Sequence, residues 1–151
     1  MSLSTFPRLA LFAFKVFCTT VIVFVTVFTV YTVGPALERR YFPVVSKLTI
    51  LDMKANEDGN AVIMAEFTKT RACEWVGLAW FKGKPEGGFE RVSVILHRQR
   101  EDTSSPNRPL GTQKAGPWII GIPAEEIAGN SFAKLRYRCH GLWTTEADFW
   151  P

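Results

Sequence analysis

A small, mainly β domain carried on one N-terminal transmembrane helix is the fold class this sequence predicts, and three features predict it. Val16 to Val33 is a stretch of eighteen residues without a charge. Beyond Pro43 the apolar residues recur with a period of two, the mark of half-buried strands. Two cysteines, Cys73 and Cys139, stand in this second part of the chain, each beside a strand-like segment.

The helix comes first. At 1.5 Å per residue the uncharged stretch makes a helix of roughly 27 Å, close to the hydrocarbon thickness of a bilayer. Leu9 to Phe14 extends it, and Lys15 can reach the headgroups along its own aliphatic stem. Val, Thr and Phe would favour a strand in water. In lipid a lone segment must satisfy its own backbone hydrogen bonds, so it is helical. The competing reading is a cleaved signal peptide. The apolar core of such a peptide runs to only about 7 to 15 residues, and Pro35 in Gly34-Pro35-Ala36 stands beside the would-be scissile bond. The chain therefore divides into a tail 1–8, a signal-anchor helix 9–33, a juxtamembrane linker 34–46 and a β domain 47–151. No G-x-x-x-G favours tight helix pairing. Thr19, Thr26 and Thr29 share one face and can bond either a neighbouring helix or their own preceding turn.

Charge is concentrated beside the helix. The chain has 18 basic and 14 acidic residues. Arg8, Lys15, Arg39 and Arg40, with Glu38 against them, flank the apolar run and suit anionic headgroups. Residues 44–151 carry 14 basic and 13 acidic side chains, with no basic stripe and no interleaved aromatics. This leaves the lipid bilayer as the expected partner and gives no support to nucleic-acid binding. Three cysteines and two histidines are too few for a zinc-finger or iron–sulfur reading, so no metal or cofactor is expected.

Basic residues on both sides of the helix leave the positive-inside rule undecided. The cysteines decide orientation. A Cys73–Cys139 bridge closes a loop of about 65 residues, for which chain entropy predicts roughly 4 kcal/mol of stabilisation. Such bridges persist outside the reducing cytosol. The expected location is therefore a membrane, with the C-terminal domain extracytoplasmic and a bacterial inner membrane facing the periplasm favoured. The chain has no N-x-Ser/Thr sequon to suggest a eukaryotic secretory origin. Two unrelated free thiols and a cytosolic domain are the alternative.

The β domain reads as six or seven short antiparallel strands folded as a β-sandwich. Lys47–Met53 supplies the first. In Ala61–Lys69, Ile63, Ala65 and Phe67 face inward. In Glu74–Phe81, Val76, Leu78 and Trp80 share a face. In Glu90–Arg98, Val92, Val94 and Leu96 point in while Arg91, Ser93 and His97 point out. Trp118–Ile122 is a short candidate, and Phe132–Cys139 alternates Ala133, Leu135, Tyr137 and Cys139 with Lys134, Arg136 and Arg138. Turn chemistry separates them at Asn56–Asn60, Gly83–Gly88 and the long polar segment Gln99–Gly116. Pro123–Gly129, with Pro at its start and Gly at its end, reads as one or two helical turns.

Two segments are similar to parts of an immunoglobulin-like domain. Trp80-Phe-Lys-Gly-Lys-Pro85 resembles the strand and turn that follow that fold's buried tryptophan, and Tyr137-Arg-Cys139 resembles its tyrosine corner. The likeness covers about a third of the domain. Cys73 precedes Trp80 by only seven residues, and Ala65 stands nearer the family's cysteine position. The resemblance then implies a bridge moved to a loop.

Catalytic motifs are absent. No G-x-S-x-G elbow, G-x-G-x-x-G loop, P-loop or C-x-x-C occurs. His97 reads as solvated. His140, near Glu146 and Asp148, is the one place where a hydrolase arrangement is conceivable, and no motif places a nucleophile there. The aromatics point instead to contacts. Trp80 and Trp118 fit the core, whereas Trp75, Trp143 and Trp150, with Arg108, are candidate interaction residues. The tail 141–151 folding back as an edge strand over Trp75 is the competing use of them. The expected function is non-enzymatic: a single-pass protein with a structural or accessory interaction role among other membrane or envelope proteins. The alternative is a ligand- or surface-binding module using the 99–116 loop and the C-terminal aromatics.

Overall fold

The computed structural model describes residues 6–97 and 107–151. Helix α1 (Phe6–Tyr41) is 36 residues long and contains the whole uncharged stretch. It is long and apolar enough to cross a membrane, and its most apolar window is not covered by the rest of the chain. Thr20, Thr29 and Thr32 each donate to the carbonyl four residues earlier, at 2.8–2.9 Å, so these hydroxyls are satisfied within the helix. Pro35 has no N–H for the Tyr31 carbonyl, yet the helix continues to Tyr41.

Among the described residues eight strands follow: β1 (Thr49–Ala55), β2 (Ala61–Lys69), β3 (Glu74–Gly83), β4 (Phe89–Val92), β5 (Val94–Leu96), β6 (Gly111–Ile120), β7 (Ser131–Arg138) and β8 (Thr145–Trp150). A short helix α2 (Ala124–Gly129) joins β6 to β7, with Pro123 at its N-cap. The strands form two four-stranded antiparallel sheets, ordered β1-β2-β6-β5 and β4-β3-β7-β8. Their inner faces share one core. Phe149 of β8 meets Phe67 of β2 at 5.3 Å and Trp118 of β6 at 6.2 Å between ring centroids. The alternation in β2 runs through all nine residues, with Ala61, Ile63, Ala65, Phe67 and also Lys69 buried.

The core is closed by aromatic donors with specific acceptors. Trp80 is fully buried, and its Nε1 donates to Ser131 Oγ at 3.0 Å. Ser131 in turn donates to the Ile127 carbonyl of α2 at 2.7 Å. Trp150 lies near-parallel to Trp80 and donates from Nε1 to the same carbonyl at 3.0 Å. A buried indole N–H without such a partner would cost about 1–3 kcal/mol.

Three local readings of the sequence need correction. Glu90–Arg98 is not one strand. At Ser93 the chain leaves β3's sheet and joins the other beside β6, with the Ser93 carbonyl accepting from Gly121 N–H at 2.9 Å. Val76 does not face inward. A β-bulge between Trp75 and Gly77 reverses the alternation, leaving Val76 44% exposed and turning Trp75 onto the core. The segment 99–116 is not all loop. Residues 111–116 belong to β6, whose register against β2 shifts between Ile63 and Ala65. Gly116 sits there with φ +113°, where a Cβ would lie 2.5 Å from the Ile63 carbonyl oxygen. Only glycine fits that approach. Most of the remaining loop, residues 98–106, lies outside the described residues, Arg98 and Arg100 included.

Candidate functional site

Two places gather chemically distinctive side chains, and both lie where β2 ends. The first is the joint between α1 and the domain. Glu38, in the last turn of α1 and beyond the apolar run, is only 8% exposed. Its Oε1 accepts from Arg71 Nη1 at 2.8 Å. Its Oε2 accepts from Trp143 Nε1 at 2.7 Å and from Thr145 Oγ1 at 2.7 Å. His140 Nε2 stands 3.2 Å from the same oxygen. Because His140 Nδ1 accepts the Leu142 N–H at 3.2 Å, Nε2 is the nitrogen that carries the proton and donates. Burial by itself would raise the Glu38 carboxyl. The hydrogen bonds from Thr145, Arg71, Trp143 and His140 outweigh it and hold the group down at about 2.

Packing reinforces this joint. Trp143 meets Tyr31 edge-on at 6.2 Å and His140 at 4.5 Å. A Cβ on Gly34 would come within 2.7 Å of the Trp143 ring, so glycine is what lets helix and indole approach. Arg39 pairs with Asp148 of β8. The connection from helix to sheet is stitched by backbone bonds: Thr70 N to Val44 O at 2.9 Å, Ser46 N to Thr68 O at 2.8 Å, and Leu48 N to Phe149 O at 2.7 Å. The helix is thus mounted on the domain without a free linker.

Beside this joint the Cys73 and Cys139 sulfurs are bonded, with Cα atoms 4.4 Å apart and a sequence separation of 66. Cys73 precedes β3 and Cys139 follows β7, so the bridge ties together the ends of two paired strands. Cys18, within α1, is free.

The second place is a cavity of about 260 Å³ between the sheets. Its walls are the rings of Phe67, Trp75, Trp118, Tyr137 and Phe149 together with three leucines. Among the described residues its polar lining comes from Lys69, Arg108 and His97. Lys69 is 4% exposed. Its Nζ donates to the Cys73 carbonyl at 3.0 Å and the Arg108 carbonyl at 2.9 Å, and lies 5.6 Å from the centre of the Tyr137 ring. Burial lowers the Lys69 ammonium from its usual value. Burial also pushes the Tyr137 phenol up to about 12, against the opposing field of Arg108.

The candidate interaction residues all find positions within the chain. Trp143 is in the helix joint, Trp150 is stacked on Trp80, and Trp75 is half-buried on the cavity wall. The tail does return as edge strand β8, bringing Phe149 into the core. Arg108 Nη1 donates to the Lys114 carbonyl at 2.8 Å. Of the basic residues expected to flank a membrane, Arg8 and Lys15 are exposed on α1, Arg40 lies 5.6 Å over the Tyr41 ring, and Arg39 is paired. His97 is exposed but reaches the cavity rim. His140 faces Glu38, and Cys139 beside it is oxidised, so no free thiol adjoins it. Among the described residues no group of His, Cys, Asp and Glu suits a metal ion.

Sequence reasoning missed Glu38 and Lys69. The first reads as one more flanking charge. The second had a signal: it continues the inward alternation of β2 by one more step. Comparisons with protein-family models, with curated proteins and with solved structures found no match.

Proposed function

We propose that this is a single-pass membrane protein that holds an immunoglobulin-like sandwich on the extracytoplasmic side, rigidly mounted on its helix, and that it serves as a non-catalytic accessory subunit for other membrane or envelope proteins. The joint around Glu38 is the observation that carries this reading. A buried carboxylate with four side-chain donors fixes the angle between helix and domain. Such a fixed angle has a use when a surface must be presented at a set height and orientation above a bilayer. A merely tethered domain would need no such cluster.

Other observations support the parts of the reading. The all-round apolar surface of α1 suits lipid. The disulfide suits a compartment outside the reducing cytosol. The strand orders β1-β2-β6-β5 and β4-β3-β7-β8 correspond to the A-B-E-D and C′-C-F-G sheets of immunoglobulin-like domains. The buried Trp80 on β3 matches that family's tryptophan on strand C. The bridge departs from the pattern, since it joins strand ends rather than crossing the core.

Cross-linking of the full chain in native membranes tests the role. A discrete product with another membrane protein, in stoichiometric yield, is expected. Recovery only as a monomer would contradict the accessory role, and protection of the domain from protease added to spheroplasts, whose outer membrane has been opened, would contradict its location.

A further inference from the structure

The cavity between the sheets has the chemistry of a ligand site rather than of a packing defect. An apolar cavity of about 150 Å³ accommodates a benzene molecule, and this one, at about 260 Å³, has room for a ring with a short side arm. Five aromatic rings supply a wall suited to edge and face contacts with another ring. Among the described lining residues the buried charge is Lys69, at 4% exposure.

Lys69 has two hydrogen-bond acceptors and, 5.6 Å away, the face of the Tyr137 ring, but no anionic partner among the described residues. An ammonium carries three donors, and two of them reach the carbonyls of Cys73 and Arg108. Among the described residues no carboxylate lies within ion-pair distance of it. A buried cation without a counter-ion is costly, and proteins ordinarily pair such a group. Of the other described polar lining residues, Arg108 is engaged in contacts of its own, so the group left to meet a ligand is Lys69. Lys69 set against the aromatic wall is therefore complementary to one anionic group attached to an apolar body.

We propose that this cavity binds a small aryl monocarboxylate, with the ring between Trp75, Trp118 and Phe149 and the carboxylate accepting a charge-assisted hydrogen bond from Lys69 Nζ. One remaining lysine donor matches one carboxylate oxygen, and the volume of about 260 Å³ has room for a ring with a two- or three-carbon arm. Nothing in the membrane reading is needed for this assignment.

Calorimetric titration of 3-phenylpropionate into the full chain in lipid nanodiscs tests it. Saturable binding of one molecule per chain is expected, with 3-phenylpropan-1-ol, which lacks the charge, at least tenfold weaker. Lys69→Met keeps the length and the apolar stem and should weaken the acid at least tenfold, removing its advantage over the alcohol. Should that variant fail to fold, Leu78→Trp fills the cavity from β3 without removing the lysine and should abolish binding. Absence of saturable binding, equal affinity for acid and alcohol, or undiminished binding by a folded Lys69→Met or Leu78→Trp chain would each overturn the proposal.

Discussion

Trp143 donates from Nε1 to Oε2 of Glu38 at 2.7 Å, joining residues 105 positions apart in the chain. One partner is in the last turn of the long helix and the other is in the loop before the final strand. The bond fastens the helix end to the domain. It also explains why a glycine, Gly34, stands one turn earlier on the face that Trp143 covers.

Glu38→Ala should destabilise the domain by about 3 to 5 kcal/mol, because Arg71 is left partly buried beside three other unpaired donors. Chemical denaturation of the full chain in detergent micelles, followed by tryptophan fluorescence, measures it. A loss below about 1 kcal/mol would mean that the joint is ornamental to folding.

The same carboxylate gives a pH signature. Its folded value, about 2, lies below its ordinary value of 4.5. A depressed acid contributes stability that is fully present above about pH 4.5 and is lost as pH falls towards 2. The difference in melting temperature between wild type and Glu38→Gln should therefore be constant above pH 5 and narrow below 4. A difference that does not change across that window would assign the stabilisation to shape rather than charge.

Gly34→Val places a Cβ where the Trp143 ring already lies and should undock the helix from the domain. Spin labels on α1 and on β1 would report a broadened distance distribution. Gly77→Ala is the control, since a Cβ there meets nothing within 4 Å, and its distribution should stay narrow.

Removing the bridge with Cys73→Ser and Cys139→Ser together should cost about 4 kcal/mol, the chain-entropy value for a loop of this length. Equilibrium denaturation of the double variant checks it. Reductant should lower wild-type stability by a similar amount and leave the variant unchanged.

Much of this fold was legible because burial on one face imposes a period of two. Ala133, Leu135 and Tyr137 in β7, and the inward residues of β2, follow that rule without exception. It fails where backbone geometry changes the count. The bulge at Trp75 and Gly77 reverses the alternation of β3, and no side-chain pattern announces it. The passage of the chain between sheets at Ser93 leaves the alternation of Val92, Val94 and Leu96 intact, so the sequence around it still reads as one strand. The joint was hidden for a different reason. Glu38 acquires its meaning from His140, Trp143 and Thr145, over a hundred residues away, and its own neighbours Arg39 and Arg40 disguise it as flanking charge. Lys69 was readable by position but discounted by type, because a lysine on an inward face contradicts ordinary burial preferences.

The most direct measurement is cysteine accessibility in intact cells. Free thiols are first blocked under denaturing conditions, and the protein is then labelled with a bulky maleimide, with and without prior reduction. The predicted result is that Cys73 and Cys139 take the label only after reduction, while Cys18 is blocked at the outset. Blocking of all three cysteines without reductant would contradict an oxidised, extracytoplasmic domain and would place the sandwich on the cytosolic side of the membrane.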